Sequence, residues 1–206
     1  MGMAEVTEFA DLETQPLAAL APRERILKTA SDLFYRFSVH SVGIDRIIAE
    51  SGVAKMTFYK HFPSKADLVA TYLRHKSAAW FQMLETATGR PGLSPLERIL
   101  AIFDALDGPF RSPSFRGCPF VKGLAEFGPE AGAPDVQATI TAYFEGLHAF
   151  VASLVEPLAL SKPERTVVQI LSLIQGSIVM AQSTRDPHLA EANRDAARLL
   201  IEGAAR

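Results

Sequence analysis

One cysteine in 206 residues excludes an internal disulfide, because Cys118 has no second thiol to pair with. No stretch reaches the roughly 18 continuous apolar residues expected of a membrane span. No charged-then-apolar leader opens the chain either. Together these absences lead to the expectation of a protein in a reducing cytoplasm, with no membrane partner. The usual chemical motifs are missing too: there is no HExxH, no glycine-rich phosphate loop and no persuasive nucleophile–base pairing. The five histidines, His40, His61, His75, His148 and His188, are scattered. No catalytic residue, metal site or cofactor is therefore expected, and the chain is not expected to be an enzyme. Strand-like alternation of useful length is also lacking, which points to an all-α fold of about nine helices.

What is present is apolar substance and a local charge. Apolar residues make up 48% of the chain, ample for a core. The net charge of −2 hides an uneven distribution. Residues 1 to 22 carry four acids and no base. Residues 23 to 65 carry eight bases (Arg23, Arg25, Lys28, Arg36, Arg46, Lys55, Lys60, Lys65) against four acids, a local +4. Such a basic segment fits an anionic polymer as a partner, although an ordinary solvated helix surface is the competing reading.

Along the chain, residues 1–21 mix acids, Pro16 and small residues without periodicity and read as a mobile tail. From Pro22, Ile26, Leu27, Ala30, Leu33, Phe34 and Phe37 form a helical stripe. Ile44, Ile47 and Ile48 make a second apolar face. Gly52 then supplies the tight backbone of a turn, Val53 plugs the elbow, and Phe58 and Phe62 face inward from a third helix. That helix leaves Lys55, Met56, Thr57, Tyr59, Lys60 and His61 outside, so residues 44–62 read as a helix-turn-helix. Ser64 and Asp67 form a capping box opening a long helix to about Thr88. Gly89–Gly92 breaks it. A helix from Ser94 is expected to stop near Gly108-Pro109, followed by a loop, a short helix and a loop over 110–133. Pro134 opens a helix to about Glu156. Ser161 caps another carrying an apolar stretch from Val167 to Met180, and Asp186-Pro187 restarts the chain into a last helix.

The run from Arg23 to about Arg74 resembles the DNA-binding domain of the tetracycline-repressor (TetR) family of bacterial transcription regulators. The resemblance rests on Ile26-Leu27, Ala30, Leu33-Phe34, Ile44, Ile47, Ser51-Gly52-Val53, Thr57-Phe58-Tyr59, His61-Phe62 and Ser64-Lys65, in that family's order and spacing. It implies a three-helix DNA-binding domain over 22–68 and a larger helical effector-binding and dimerisation domain over 69–206. Ser38 stands where the family commonly has glycine. Val42-Gly43 replaces a frequent hydroxyl pair, and Ala54 a frequent serine cap. In the groove-reading geometry of a recognition helix, Lys55, Met56 and Thr57 are nearest the base edges, while Tyr59, Lys60, His61 and Lys65 suit phosphates. Packing against the first helix is the alternative for Tyr59 and His61.

Two copies related by a two-fold axis read both halves of a palindrome, so a homodimer on double-stranded DNA is expected. Its interface is placed on the last two helices, at Val167, Ile170, Leu171, Ile174, Ile178, Leu189, Ala196, Leu199 and Leu200. Packing within one subunit is the competing explanation. An aromatic-rich set between these regions offers candidates for a small-molecule effector of unidentified chemistry: Trp80, Phe103, Phe110, Phe120, Phe127, Tyr143 and Phe144, with Cys118 and His148 beside them. Plain core is the alternative for each aromatic. Cys118 reads either as a reactive thiol near a helix start or as a buried, inert one. Glu145 and His148 offer a polar pair on one helix. The resulting expectation is a cytoplasmic, ligand-responsive DNA-binding regulator, acting as a repressor released by its effector. A helical enzyme or carrier of an apolar small molecule is the other reading.

Overall fold

Pro22 begins the first long helix because its missing N–H costs nothing at an N-terminus. In this computed structural model, which describes residues 15–128 and 132–204, helix α1 spans Pro22–Arg36. Residues 1–14, most of the expected tail, lie outside the described residues. Leu17–Ala19 form a 3-10 turn, and Leu20 is buried. The remaining helices are α2 (Ile44–Ser51), α3 (Lys55–His61), α4 (Lys65–Thr88), α5 (Pro95–Arg111), α6 (Pro119–Glu126), α7 (Pro134–Val155), α8 (Pro163–Thr184) and α9 (Leu189–Ala204). Among the described residues there is no strand, so the expected all-α fold of about nine helices is what forms.

By its contacts the chain divides into two compact units. The first runs to Trp80 and takes in Pro119–Tyr143; the second comprises Phe81–Cys118 and Phe144–Arg206. In the first, α1 packs on α2 and α3. Its stripe of Ile26, Leu27, Ala30, Leu33 and Phe34 meets Ile47, Val53, Phe58 and Phe62 in a core where every member is less than 10% exposed. Phe34 meets Tyr72 of α4 edge-on at 5.6 Å, which fastens α4 to the three-helix group. In the second unit, α9 packs on α5 and α8, and Arg194 reaches Asp104 at 2.8 Å.

Local signals set most helix ends. Ser64 and Asp67 form the expected reciprocal cap: the Ser64 amide donates to Asp67 Oδ2 at 3.0 Å, and the Asp67 amide to Ser64 Oγ at 3.1 Å. Ser94 and Glu97 repeat the device at α5. Three ends differ from the sequence reading. Helix α5 passes through Pro109 to Arg111. A proline in the last turn forfeits one hydrogen bond, and the burial of Phe110 together with the Arg111–Asp107 ion pair at 2.8 Å offsets it. Helix α8 has Lys162 at its N-cap with no side-chain bond, so Ser161 does not cap it. Helix α9 starts at Leu189, after an Asp186 side chain that accepts from the His188 amide at 2.9 Å.

By length and hydropathy alone, Pro134–Leu158 and Pro163–Thr184 would each suffice to cross a bilayer. In the second of these the apolar stripe Val167, Ile170, Ile174 and Ile178 is consumed inside its own unit, where α8 packs on α5 and α9.

Candidate nucleic-acid interface

The recognition element is built by one glycine and two phenylalanines. Gly52 ends α2 in the left-handed region, at φ 64° and ψ 32°, a conformation glycine enters without steric cost. The chain then turns through Val53 and restarts at Ala54 as α3. Phe58 and Phe62, four residues apart, are 0% and 2% exposed and sit 6.3 Å apart, so they seat one face of α3 on α1. A helix with one face so anchored must present the other to solvent.

That outer face carries the residues assigned to DNA. The Lys55 side chain is 67% exposed and Met56 is 81% exposed. Lys60 is exposed, Tyr59 is exposed while touching Phe58 edge-on at 5.4 Å, and Thr57 and His61 are half-buried. Lys65, at the start of α4, is also half-buried. Burial holds its ammonium below the usual lysine range, with Glu126 acting in the opposite sense. Lys55 Nζ lies 4.0 Å from Asp45 Oδ1, a loose contact between exposed groups that leaves the ammonium available. Both helices start without a side-chain cap: Gly43 and Ala54 are the N-caps and neither makes such a bond.

Phe37, expected in the stripe of α1, lies outside it, because it is the C-cap that follows the last turn of the helix. Phe37 is 47% exposed with the guanidinium of Arg46 4.6 Å and that of Arg36 5.2 Å from its ring centre. Arg46 also pairs with Glu50 at 2.7 Å. Glu126 and Lys122 of α6 reach back to the α1–α2 region, across more than eighty residues of sequence, and no local pattern encodes that.

The effector candidates divide between the units. Trp80, Phe120, Phe127 and Tyr143 belong to the first, where Phe120 and Tyr143 stack 3.6 Å apart and nearly parallel. Phe103, Phe110, Cys118, Phe144 and His148 belong to the second. Phe103 is wholly buried, and Phe110 packs on Phe115 at 5.3 Å. Cys118 is buried immediately before α6. His148 faces Glu164 of α8 at 3.5 Å rather than standing with Glu145 as a paired site. No group of three or more metal-ligating side chains occurs among the described residues. Phe110 also lines an open cleft of about 440 Å³ with Arg111, Ser112, Pro113, Arg185 and Pro187. Among the described residues, buried polar atoms without a hydrogen-bond partner, where satisfaction is the rule, include Ser31 Oγ, the Trp80 indole Nε1 and both amide atoms of Gln175 on α8.

Of the nine residues assigned to the interface, Val167, Ile170, Ile174 and Ile178 turn inward instead, each less than 5% exposed within the chain. Leu171, Leu189, Ala196 and Leu200 are half-buried, and Leu199 is 70% exposed. The apolar residues that α8 leaves outside are Val168, Val179 and Met180, beside exposed Gly176. Helical periodicity finds both stripes of such a helix and cannot say which one the chain itself uses.

A helix-turn-helix whose short second helix is anchored by aromatics and opens a lysine-bearing face to solvent defines a DNA-binding transcription regulator. Residues 26–72 match the family model described as bacterial regulatory proteins, tetR family. A TetR-family transcriptional regulator from Streptomyces coelicolor has the same architecture, with a TM-score of 0.82 and 27% identity over 90% of this chain and 96% of that one. A TetR-type regulator from Streptomyces avermitilis is similar over 86% of this chain and 98% of its own, at 29% identity and a TM-score of 0.73. Among curated relatives, an HTH-type transcriptional regulator of Lactococcus lactis is 23% identical over 87% of this chain and 93% of its own. Residues 26–72 thus carry a tetR-family DNA-binding domain, and the chain has the fold of TetR-family transcriptional regulators.

Proposed function

We propose that the protein is a ligand-responsive repressor that binds a palindromic operator in the cytoplasm as a homodimer and is released by a small-molecule effector. Residues 22–68 serve DNA binding, and 69–206 serve effector binding and dimerisation. The observation that carries the DNA-binding half is the outward face of α3, with Lys55 and Met56 open and Thr57 beside them. Lys55 donates to guanine acceptors, and the methyl groups of Met56 and Thr57 pack on thymine. Tyr59, Lys60, His61 and Lys65 contact phosphates.

The exposed apolar residues of α8 and α9 support self-association, since Val168, Val179, Met180 and Leu199 leave about half or more of their surface open within one chain. The unsatisfied amide of Gln175 supports a polar element in the effector, because it would gain a partner on binding. To act, the effector must discriminate between two states. Reversing occupancy from 1:99 to 99:1 takes about 5.5 kcal/mol of differential binding.

Selection of bound duplex from a random pool, followed by gel shift, tests the reading. Lys55→Ala should cost about 1–3 kcal/mol on the selected duplex and relax its sequence preference. Lys60→Ala should weaken selected and random duplexes alike and lower the salt slope by about one. Equal losses on selected and random DNA for both variants would defeat the assignment of roles.

A further inference from the structure

Glu126 closes α6, yet its carboxylate lies on the loop between α1 and α2. Oε2 accepts from the His40 amide at 2.8 Å and stands 2.9 Å from His40 Nδ1, while Oε1 accepts from the Val39 amide at 3.4 Å. The Glu126 side chain is 17% exposed against 64% for His40, so the contact is anchored from the α6 side. One turn earlier, Lys122 Nζ donates to the Tyr35 carbonyl at 3.1 Å, in the last turn of α1, and lies 5.2 Å from the Tyr35 ring centre. Residues 122 and 126 are one helical turn apart, so a single face of α6 grips both the end of α1 and the loop that follows. Phe127 adds a ring contact to His40 at 5.3 Å. Helix α6 is itself held: a Cβ at Gly123 would come within 2.8 Å of Ile140 Cδ1 on α7, so the Ile140 side chain packs directly against the α6 backbone there.

The gripped loop is not relaxed. Ser38 has a φ of 126°, where residues with a side chain are uncommon. Its hydroxyl meets that of Ser41 at 3.1 Å, and Ser41 Oγ donates to the Ser38 carbonyl at 3.2 Å. Backbone of this kind persists only where the surroundings over-determine it. The same loop runs through Gly43 directly into α2, and α2 sets the position of α3 through the Gly52 turn.

We propose that Glu126 is a positioning residue for DNA binding: its carboxylate holds the strained Ser38–Ser41 loop in the geometry from which α2 and α3 meet the duplex, without touching DNA itself. The contact binds backbone amides, so it fixes the loop's path whatever side chain stands at 39 or 40.

The test uses the full chain and the duplex that the parent protein selects from a random pool. Glu126→Ala should weaken binding about tenfold. The salt slope should stay at the parent value, because no phosphate contact is removed. Glu126→Gln keeps an acceptor oxygen and should lose less. Ser38→Gly placed on Glu126→Ala should restore most of the affinity, since glycine adopts the required φ without strain. A variant with parent-like circular dichroism and an affinity within twofold of the parent overturns the proposal. So does a loss that Ser38→Gly leaves unrepaired, which would make Glu126 a general stabiliser. If Glu126→Ala does not fold, Glu126→Gln with and without Ser38→Gly supplies the same comparison.

Discussion

Single residues matter here according to which side of α3 they occupy. Phe58 is wholly buried beside Phe62, and replacing it with alanine removes a ring from a core the surrounding helices cannot fully close. Phe58→Ala should destabilise the protein by about 3–5 kcal/mol, read as a lowered denaturant midpoint with an unchanged slope. A loss below 1 kcal/mol would mean that α3 is not seated through this ring. Lys55, three residues earlier, should show the opposite pattern, with stability untouched and DNA preference altered. The two faces are legible in the sequence because period 3.6 separates the sides of a short amphipathic helix. Sequence gives Cys118 two readings, reactive or inert, and its burial limits access of bulky electrophiles to the thiol.

At the level of elements, the capping boxes were legible and their energetics carry a pH signature. Hydrogen bonds from the Ser94 hydroxyl and amide hold the Glu97 carboxyl below its usual range. A depressed folded-state value means that the cap's contribution is present above the ordinary glutamate range and is lost as pH falls through the folded-state value. Ser94→Ala should therefore lower Tm at neutral pH, and the gap from the parent should narrow as the pH drops below that of ordinary glutamates. A gap independent of pH would show that the Glu97 side chain takes no part. Helix α5 runs past Pro109, and α8 starts without a cap from Ser161, for one reason. A breaker or a cap is a local preference, and burial of Phe110 or a proline already at N1 decides the outcome.

For the whole molecule the open question at the surface is what covers Val168, Val179, Met180 and Leu199. Leu199→Glu puts a charge at the most exposed of them. If the proposed homodimer forms through this face, the substitution should shift the mass from dimer toward monomer by light scattering, with the helical content retained and DNA affinity reduced. A mass unchanged at micromolar concentration would remove this face from the proposed dimer. Sequence alone specifies the helices, the turn at Gly52 and the solvent-facing side of α3, because each depends on residues within about ten positions of one another and on a single period. Only the tertiary structure decided which stripe of α8 turns inward, and that Glu126 reaches His40. Both depend on segments far apart in the chain meeting in space, and nothing in the periodicity of either segment records its partner.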